Sequence, residues 1–308
     1  MENVRIEVNM TKDYPVKFGW LKQRPDWRDI PFPSLSPAIG AGDVIDISAN
    51  DTPIYDQNGF GACTGFACKS VFEYWEKNYL KTFTDESAMF IYKEARDALG
   101  ITGDGGATLR AVANVVHKQG VPPTSKWKYT KANLNKEPSA AVKSLATKTE
   151  ASGFYQLDTA HKPLAQIYSD MRGVLSTANL PIMAGFTVYT SYSQAQDNGG
   201  MFPFPSKGEK IAGGHAIEVC GDYPNMEITN SNDGSKTVGA FKLKNSWGKT
   251  GDKGYYYLPH AYLLKGMLTD MWVVTNETHL VRIMGYVPGG KAEAQAMNPT
   301  VIIQNNTG

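Results

Sequence analysis

The pattern of hydrophobic and polar positions divides the chain into a first half built from helices and a second half rich in strands. Apolar residues recur three or four positions apart after Cys63, which predicts an amphipathic helix beginning there. A second helix is predicted over residues 85–99, with Thr84 as its N-cap. A third is predicted from Thr108 to about Gln119, and Gly120 ends it.

The pattern changes after about residue 145. One more helix is predicted from Leu164 to Thr177. Short apolar runs then predict strands at 182–188, 216–220, 240–245, 254–258 and 271–275. Residues 230–235 are turn formers and are predicted to form the tip of a long hairpin. Helices followed by strands predict an α+β fold class.

Composition and charge exclude several kinds of partner. The 31 basic and 30 acidic residues give a net charge of +1, so the chain lacks the positive surplus of a nucleic-acid-binding protein. No apolar run reaches the ~18–20 residues of a membrane helix, and the N-terminus has no secretory signal. The chain has three cysteines, and one of them is assigned a chemical role below. A disulfide framework is therefore not expected. We expect a cytoplasmic protein, or a virion-associated one if the source is a phage.

The candidate chemistry centres on Cys63, at the predicted start of the first helix. Free backbone N–H groups and the helix dipole favour an anion at this position, and a thiolate is the form of cysteine that attacks carbonyls. Gln57, six residues earlier, carries a side-chain amide able to stabilise an oxyanion. His215 begins one apolar strand and Asn245 ends another. The histidines and cysteines of the sequence do not show the tight spacing that is typical of a metal site.

The order Cys63, His215, Asn245 resembles that of the papain-like cysteine peptidases. The run Asn-Ser-Trp-Gly at 245–248, the Gly-Tyr-Tyr-Tyr at 254–257 and the spacing from glutamine to cysteine are specific to that family. The likeness covers roughly Gly19 to Val274, and its lead-in is similar to bacterial, archaeal and phage members. It implies a two-lobed fold, with a helical lobe, a strand-rich barrel-like lobe and an active-site cleft between them.

The resemblance also implies a role for each candidate residue. Cys63 is the nucleophile, His215 the base and acid, Asn245 the residue that orients the imidazole, and Gln57 an oxyanion donor. Trp247 shields the bond between His215 and Asn245. For the substrate, Gly105 and Gly106 pair with an extended peptide, whereas Gly185, Gly214 and Asp270 line the pocket for the residue before the scissile one. Thr64 stands where the family most often has a tryptophan, which removes one aromatic wall of the cleft.

Plainer interpretations remain for each of these residues. Cys63 could be a buried structural cysteine, His215 a hydrogen-bonded strand histidine, and Gln57 a surface residue. The glycine pair at 105–106 could be a simple turn, and Trp247 could serve core packing as well as shielding. The combined pattern favours a cysteine endopeptidase that acts on protein or peptide substrates without metal or cofactor. The alternatives are a non-catalytic papain-fold component of a larger assembly and a thiol-dependent acyltransferase.

The resemblance and the composition together divide the chain into four parts. Residues 1–50 are a proline-rich strap, 51–145 the helical lobe, 146–285 the strand-rich lobe, and 286–308 a tail that is flexible or docks on an assembly partner. The strap has two open roles: it lies in the cleft as a substrate mimic, or it packs across both lobes and ties them together. Trp20, Leu21 and Trp27 resemble packing anchors, which slightly favours the tie.

Overall fold

The computed structural model describes residues 17–146 and 153–284, which places the predicted tail at 286–308 outside the described residues. The helices are α1 (Cys63–Trp75), α2 (Ala88–Ala98), α3 (Leu109–Gln119), α4 (Ala140–Ala146), α5 (Leu164–Gly173), α6 (Gln194–Asp197), α7 (His260–Leu264) and α8 (Glu277–Met284). The strands are β1 (Ile45–Asp46), β2 (Gly153–Gln156), β3 (Ile182–Tyr189), β4 (Ile211–Thr229), β5 (Lys236–Lys244), β6 (Tyr255–Pro259) and β7 (Leu268–Thr275).

The strands of the second half form one antiparallel sheet in the order β2-β7-β3-β4-β5-β6, and β1 of the strap adds to β4. The predicted helical half and strand-rich half are therefore confirmed. Among the described residues the sheet does not close, so β2 and β6 remain its edges and the lobe is an open version of a barrel.

Helix α1 is the central element of the core. Every residue from Cys63 to Trp75 is buried, because α1 packs against α2 and α3 on one side and against β3, β4 and β7 on the other. A helix buried all round fixes the position of its first residue relative to the sheet. No helix among the described residues is long and apolar enough to cross a membrane.

The strap has two segments with different surroundings. Residues 17–21 cross the molecule between the glycine turn at 103–106 and strand β4. Further along, Phe32 donates to Gln156 of β2 (2.8 Å), and Ile47 donates to Cys220 of β4 (3.0 Å). The anchor prediction holds for Trp20, which is buried, but it is wrong for Trp27, whose side chain is 93% exposed.

Candidate active site

Cys63 is the first residue of α1, as the sequence predicts, and its side chain is fully buried. The backbone amides of Ala216, on β4, and of Gly19, in the strap, lie near the thiol and act to lower its pKa. The cysteine therefore lies beside the strand that carries His215, with the strap on top of it. Cys68 and Cys220 are also buried, and all three thiols are free.

His215 and Asn245 form the hydrogen-bonded pair that the sequence predicts. The distance from His215 Nε2 to Asn245 Oδ1 is 2.8 Å. The sheet brings them together, because Glu218 of β4 lies opposite Lys244 of β5 and Asn245 follows directly after β5. The other imidazole nitrogen, Nδ1, is buried without a hydrogen-bond partner. One ring nitrogen is thus held by Asn245, and the other is buried without a partner among the described residues.

Trp247 lies over the imidazole of His215. The two ring centroids are 4.6 Å apart, and Trp247 is buried. Phe18 of the strap packs edge-on against the same two rings, with centroids 6.0 Å from His215 and 6.2 Å from Trp247. Trp247 and the strap residue Phe18 thus both cover the imidazole that bonds to Asn245.

The side-chain amide of Gln57 points at the strap. Its Nε2 donates to the carbonyl oxygen of Lys17 (2.9 Å) and to that of Phe60 (2.7 Å). Its Oε1 accepts from the hydroxyl of Ser246 (2.7 Å). Because Ser246 occupies the oxygen end, the amide group of Gln57 is fixed as a donor toward the cleft.

The strap pairs with both walls of the cleft through its backbone. On one wall, Ala107 donates to Gly19 (2.9 Å) and accepts from Leu21 (2.9 Å). On the other, Trp20 donates to the carbonyl of Gly214 (3.0 Å). The pairing falls on Ala107, one residue after the predicted pair Gly105 and Gly106. Gly106 instead leaves room, since a Cβ there would lie 2.5 Å from the oxygen of Gly19.

The three residues predicted to line a substrate pocket all surround the indole of Trp20. The indole nitrogen donates to Asp270 Oδ2 (2.9 Å). A Cβ at Gly185 would overlap the indole ring, and one at Gly214 would lie 2.6 Å from the Trp20 carbonyl oxygen. Trp272 donates to the second oxygen of Asp270 (2.8 Å). The pocket is therefore filled by a strap side chain whose polar atom has a partner.

Burial beneath the strap changes the proton affinities of the central pair. It raises the pKa of the Cys63 thiol to about 11, although backbone amides oppose this shift. It lowers the pKa of His215 to about 4, against the opposing effect of Asn245. Both shifts favour the neutral forms of the thiol and the imidazole beneath the strap.

The sequence analysis did not identify three further residues of the site. Asp104 accepts from the Gly61 amide (3.1 Å), two residues before Cys63, and from the Tyr92 hydroxyl (2.7 Å). The same hydroxyl accepts from the Gly106 amide (2.9 Å), so Tyr92 and Asp104 brace the glycine turn. Ser246, which orients Gln57, lies inside the Asn-Ser-Trp-Gly run and that motif could have indicated it. Asp104 stands within the predicted glycine turn, but no spacing identifies its contacts.

One group of carboxylates among the described residues has the spacing expected of metal ligands. Oxygens of Glu94, Asp97 and Glu137 lie within 4.8 Å of one another. The ammonium group of Lys93 bonds to all three carboxylates. A lysine thus holds the place where a cation would bind.

Solved structures of cysteine proteases have the same fold. Xylellain, a cysteine protease from Xylella fastidiosa, is 24% identical over 87% of this chain and 99% of its own, with a TM-score of 0.68. Procathepsin B S9 from Trypanosoma congolense is 17% identical over 84% of this chain and 86% of its own (TM-score 0.58). Digestive procathepsin L 3 from Tenebrio molitor is 16% identical over 82% of this chain and 75% of its own (TM-score 0.55).

The chain therefore has the two-lobed papain-like α+β fold that the sequence resemblance implies. No family model and no curated protein sequence matches it. At identities of 24% or less, the likeness establishes the fold, and the activity has to be argued from the site.

Proposed function

We propose that this chain is a cysteine peptidase that cleaves peptide bonds through a thioester on Cys63. One contact carries the proposal: the Gln57 amide donates to a peptide carbonyl, that of Lys17, in a cleft that also contains Cys63 and the pair of His215 and Asn245. The cleft thus binds an extended peptide and directs a hydrogen-bond donor at one of its carbonyl oxygens. A cleft of this kind suits acyl transfer.

In the proposed reaction, His215 takes the proton of Cys63 and the sulfur attacks the carbonyl carbon of the scissile bond. Gln57 stabilises the negative oxygen of the tetrahedral intermediate. The carbon–nitrogen bond then breaks, and His215 gives its proton to the leaving amine. Water, deprotonated by His215, attacks the thioester, which releases the acid and restores the thiol. Asn245 holds the imidazole in place through both halves.

We further propose that the strap keeps the peptidase latent. Residues 17–21 occupy the oxyanion donor, both walls and the Trp20 pocket, and Cys63 is fully buried beneath them. The two roles considered for the strap then belong to different segments: residues 17–21 occlude, and the later residues that pair with β2 and β4 tie the strap down.

Two glycines of the strap provide a test within the full chain. A Cβ at Gly19 would overlap the backbone carbonyl of Gly61, whereas a Cβ at Gly42 meets nothing within 4 Å. Gly19→Ala should expel residues 17–21 from the cleft and speed both the alkylation of Cys63 by iodoacetamide and peptide hydrolysis. Gly42→Ala, its matched control, should behave as wild type. Equal alkylation rates for the three chains would refute occlusion.

The peptidase proposal is tested in the Gly19→Ala chain. Hydrolysis of a peptide library should vanish on the further change Cys63→Ala, with the melting temperature kept, because the thiol supplies chemistry rather than packing. Persisting hydrolysis would refute the assignment. An alkylatable Cys63 that forms only amide products with an added amine would indicate an acyltransferase. A Cys63 without any turnover would indicate a binding component.

A further inference from the structure

A small cavity borders Asn245, the residue that holds the imidazole of His215. Helix α1 lines it with Ala67 and Ser70, strand β4 lines it with Ile217, and Asn245 forms part of the remaining wall. Its volume is about 10 Å³, which is close to the space that one buried water molecule needs. The cavity therefore has room for a single water next to the Asn245 side chain.

Several buried polar atoms near this cavity lack hydrogen bonds. Within the described residues, Asn245 Nδ2, Ser70 Oγ and both carboxyl oxygens of Glu218 have no hydrogen-bond partner. Lys244 Nζ lies 3.9 Å from Glu218 Oε2, which is too far for a hydrogen bond. Buried polar groups are almost always hydrogen-bonded in folded proteins, so these atoms indicate a partner that is not a protein side chain.

The fold places these groups close to one another. Glu218 of β4 lies opposite Lys244 of β5, and Asn245 follows Lys244 along the chain. Burial raises the pKa of the Glu218 carboxyl, and the hydroxyl of Ser70 lies near enough to oppose this shift. Ser70 thus stands between the cavity beside Asn245 and the carboxyl of Glu218.

One water completes a chain in which every donor has an acceptor. The Asn245 amide nitrogen donates to the water, the water donates to Ser70 Oγ, and the Ser70 hydroxyl donates to Glu218. We propose that the cavity binds one water molecule and that Ser70, acting through it, is a positioning residue for Asn245. The water site follows from the cavity and its polar atoms, whereas the effect on turnover rests on the proposed function.

The chain holds the end of the Asn245 amide that His215 does not. Asn245 Oδ1 accepts from His215 Nε2 (2.8 Å) and from the Ser246 amide (2.7 Å), which leaves Nδ2 for the water. An amide that is bonded at both ends keeps its oxygen aligned with the imidazole, because rotation of the amide breaks bonds on both sides. Ser70 lies about two turns after Cys63 on α1. The helix that carries the thiol therefore also orients the imidazole.

The test is a double-mutant cycle on kcat in the full-length Gly19→Ala chain. Ser70→Ala removes the hydroxyl and should lower kcat by about 3- to 10-fold with KM unchanged, as expected for residues coupled in one network. In the Gly19→Ala/Asn245→Ala chain the same change should leave kcat nearly unaltered, because the amide that Ser70 positions is gone. An unchanged kcat in the first chain, or the same loss in both chains, would overturn the inference.

The matched control is Thr275→Val, which removes another buried hydroxyl that lacks a partner among the described residues, at the end of β7. It should keep the kcat of the Gly19→Ala chain, and a loss equal to that of Ser70→Ala would refute a local effect. Glu218→Gln keeps an acceptor for the Ser70 hydroxyl and should retain kcat. Glu218→Met removes the acceptor and should reproduce the loss, so equal kcat for the two Glu218 variants would contradict the chain.

If no peptide is cleaved, the proposed function fails, and a crystal structure of the full chain decides the inference. Density for one water within hydrogen-bond distance of Asn245 Nδ2 and Ser70 Oγ, with its loss or displacement in Ser70→Ala, supports the site. A cavity without such density, or a water that contacts neither atom, refutes it.

Discussion

The side chain of Gln57 is directed by a neighbour in the other lobe. Ser246 donates to its oxygen, and the Gln57 amide accordingly faces the cleft. In the Gly19→Ala chain, Gln57→Ala should lower kcat by about 10²–10³, as loss of an oxyanion donor typically does, with little change in KM. Steady-state kinetics on one peptide measures this. An effect confined to KM would show that Gln57 binds the ground state and does not stabilise the oxyanion.

The proton affinities of Cys63 and His215 predict a pH signature of the covered state. The raised pKa of Cys63, about 11, means that little thiolate exists at neutral pH while the strap is in place. Alkylation of Cys63 in the wild-type chain should therefore keep rising with pH beyond pH 9. In Gly19→Ala, access of water lessens desolvation and the midpoint should move to lower pH. Rates of iodoacetamide alkylation from pH 5 to 10 measure both profiles, and identical midpoints would contradict this account.

At the scale of single residues, motif spacing predicted which side chains meet but not their protonation. Cys63 begins helix α1 and His215 bonds to Asn245, and the register of β4 on β5 brings the latter two together. Asp104 could not be predicted, since its contacts with Gly61 and Tyr92 depend on tertiary packing. The raised pKa of Cys63 and the lowered pKa of His215 come from burial beneath the strap, which no local pattern encodes.

At the scale of elements, the pocket around Trp20 is shaped by strand β3. A Cβ at Gly185 would overlap the indole, so Gly185→Ala should loosen the strap and narrow the pocket at once. We expect faster alkylation of Cys63 in the full chain. We then compare the double variant Gly19→Ala/Gly185→Ala with Gly19→Ala alone. For peptides that place a large side chain in this pocket, kcat/KM should fall by about tenfold or more, relative to the change for peptides with alanine there. A uniform loss for both peptide classes would argue against this assignment of the pocket.

The boundaries of helix α3 followed the sequence, whereas the start of helix α2 did not. Helix α3 begins after Thr108, whose hydroxyl accepts from the Ala111 amide, and it ends at Gly120 with φ of 74°. Helix α2 begins at Ala88, later than the predicted Asp85, because Ser87 caps it instead of Thr84. Strand β4 runs far beyond the predicted 216–220, since pairing with β5 extends it through polar residues. Long-range pairing is what the local pattern cannot supply.

At the scale of the whole molecule, the strap joins the sheet at several points. The Phe32 amide donates to Gln156 of β2, the Gln156 amide donates to Ile30, and Ile45 pairs with Asp222 of β4. These contacts involve backbone atoms, which any sequence supplies, so the proline-rich composition alone did not reveal their register. The segment that enters the cleft is thereby held at a fixed distance from its anchor, which favours its return after displacement.

The helical lobe buries several carboxyl groups, and this predicts how the stability of the fold depends on pH. Burial raises the pKa of Glu76 to about 8 and that of Glu86 to about 9, and neighbouring carboxylates, Glu73 among them, add to both shifts. One oxygen of Glu76 and one of Glu86 lack a hydrogen-bond partner. Lys69 partly offsets the repulsion at Glu86.

The sign of the effect follows from proton binding. An acid whose pKa is raised on folding binds its proton more tightly in the folded state, so its contribution to stability is present at low pH and is lost as pH rises from the ordinary value of 4.5 to the raised one. The melting temperature should therefore fall between about pH 5 and pH 9. Glu86→Gln, which keeps the size and removes the charge, should reduce this fall by about 2–4 °C for each kcal/mol of repulsion removed. The exposed Glu227→Gln should leave the fall as in wild type, and a melting temperature that rises over this range would contradict burial of the neutral acids.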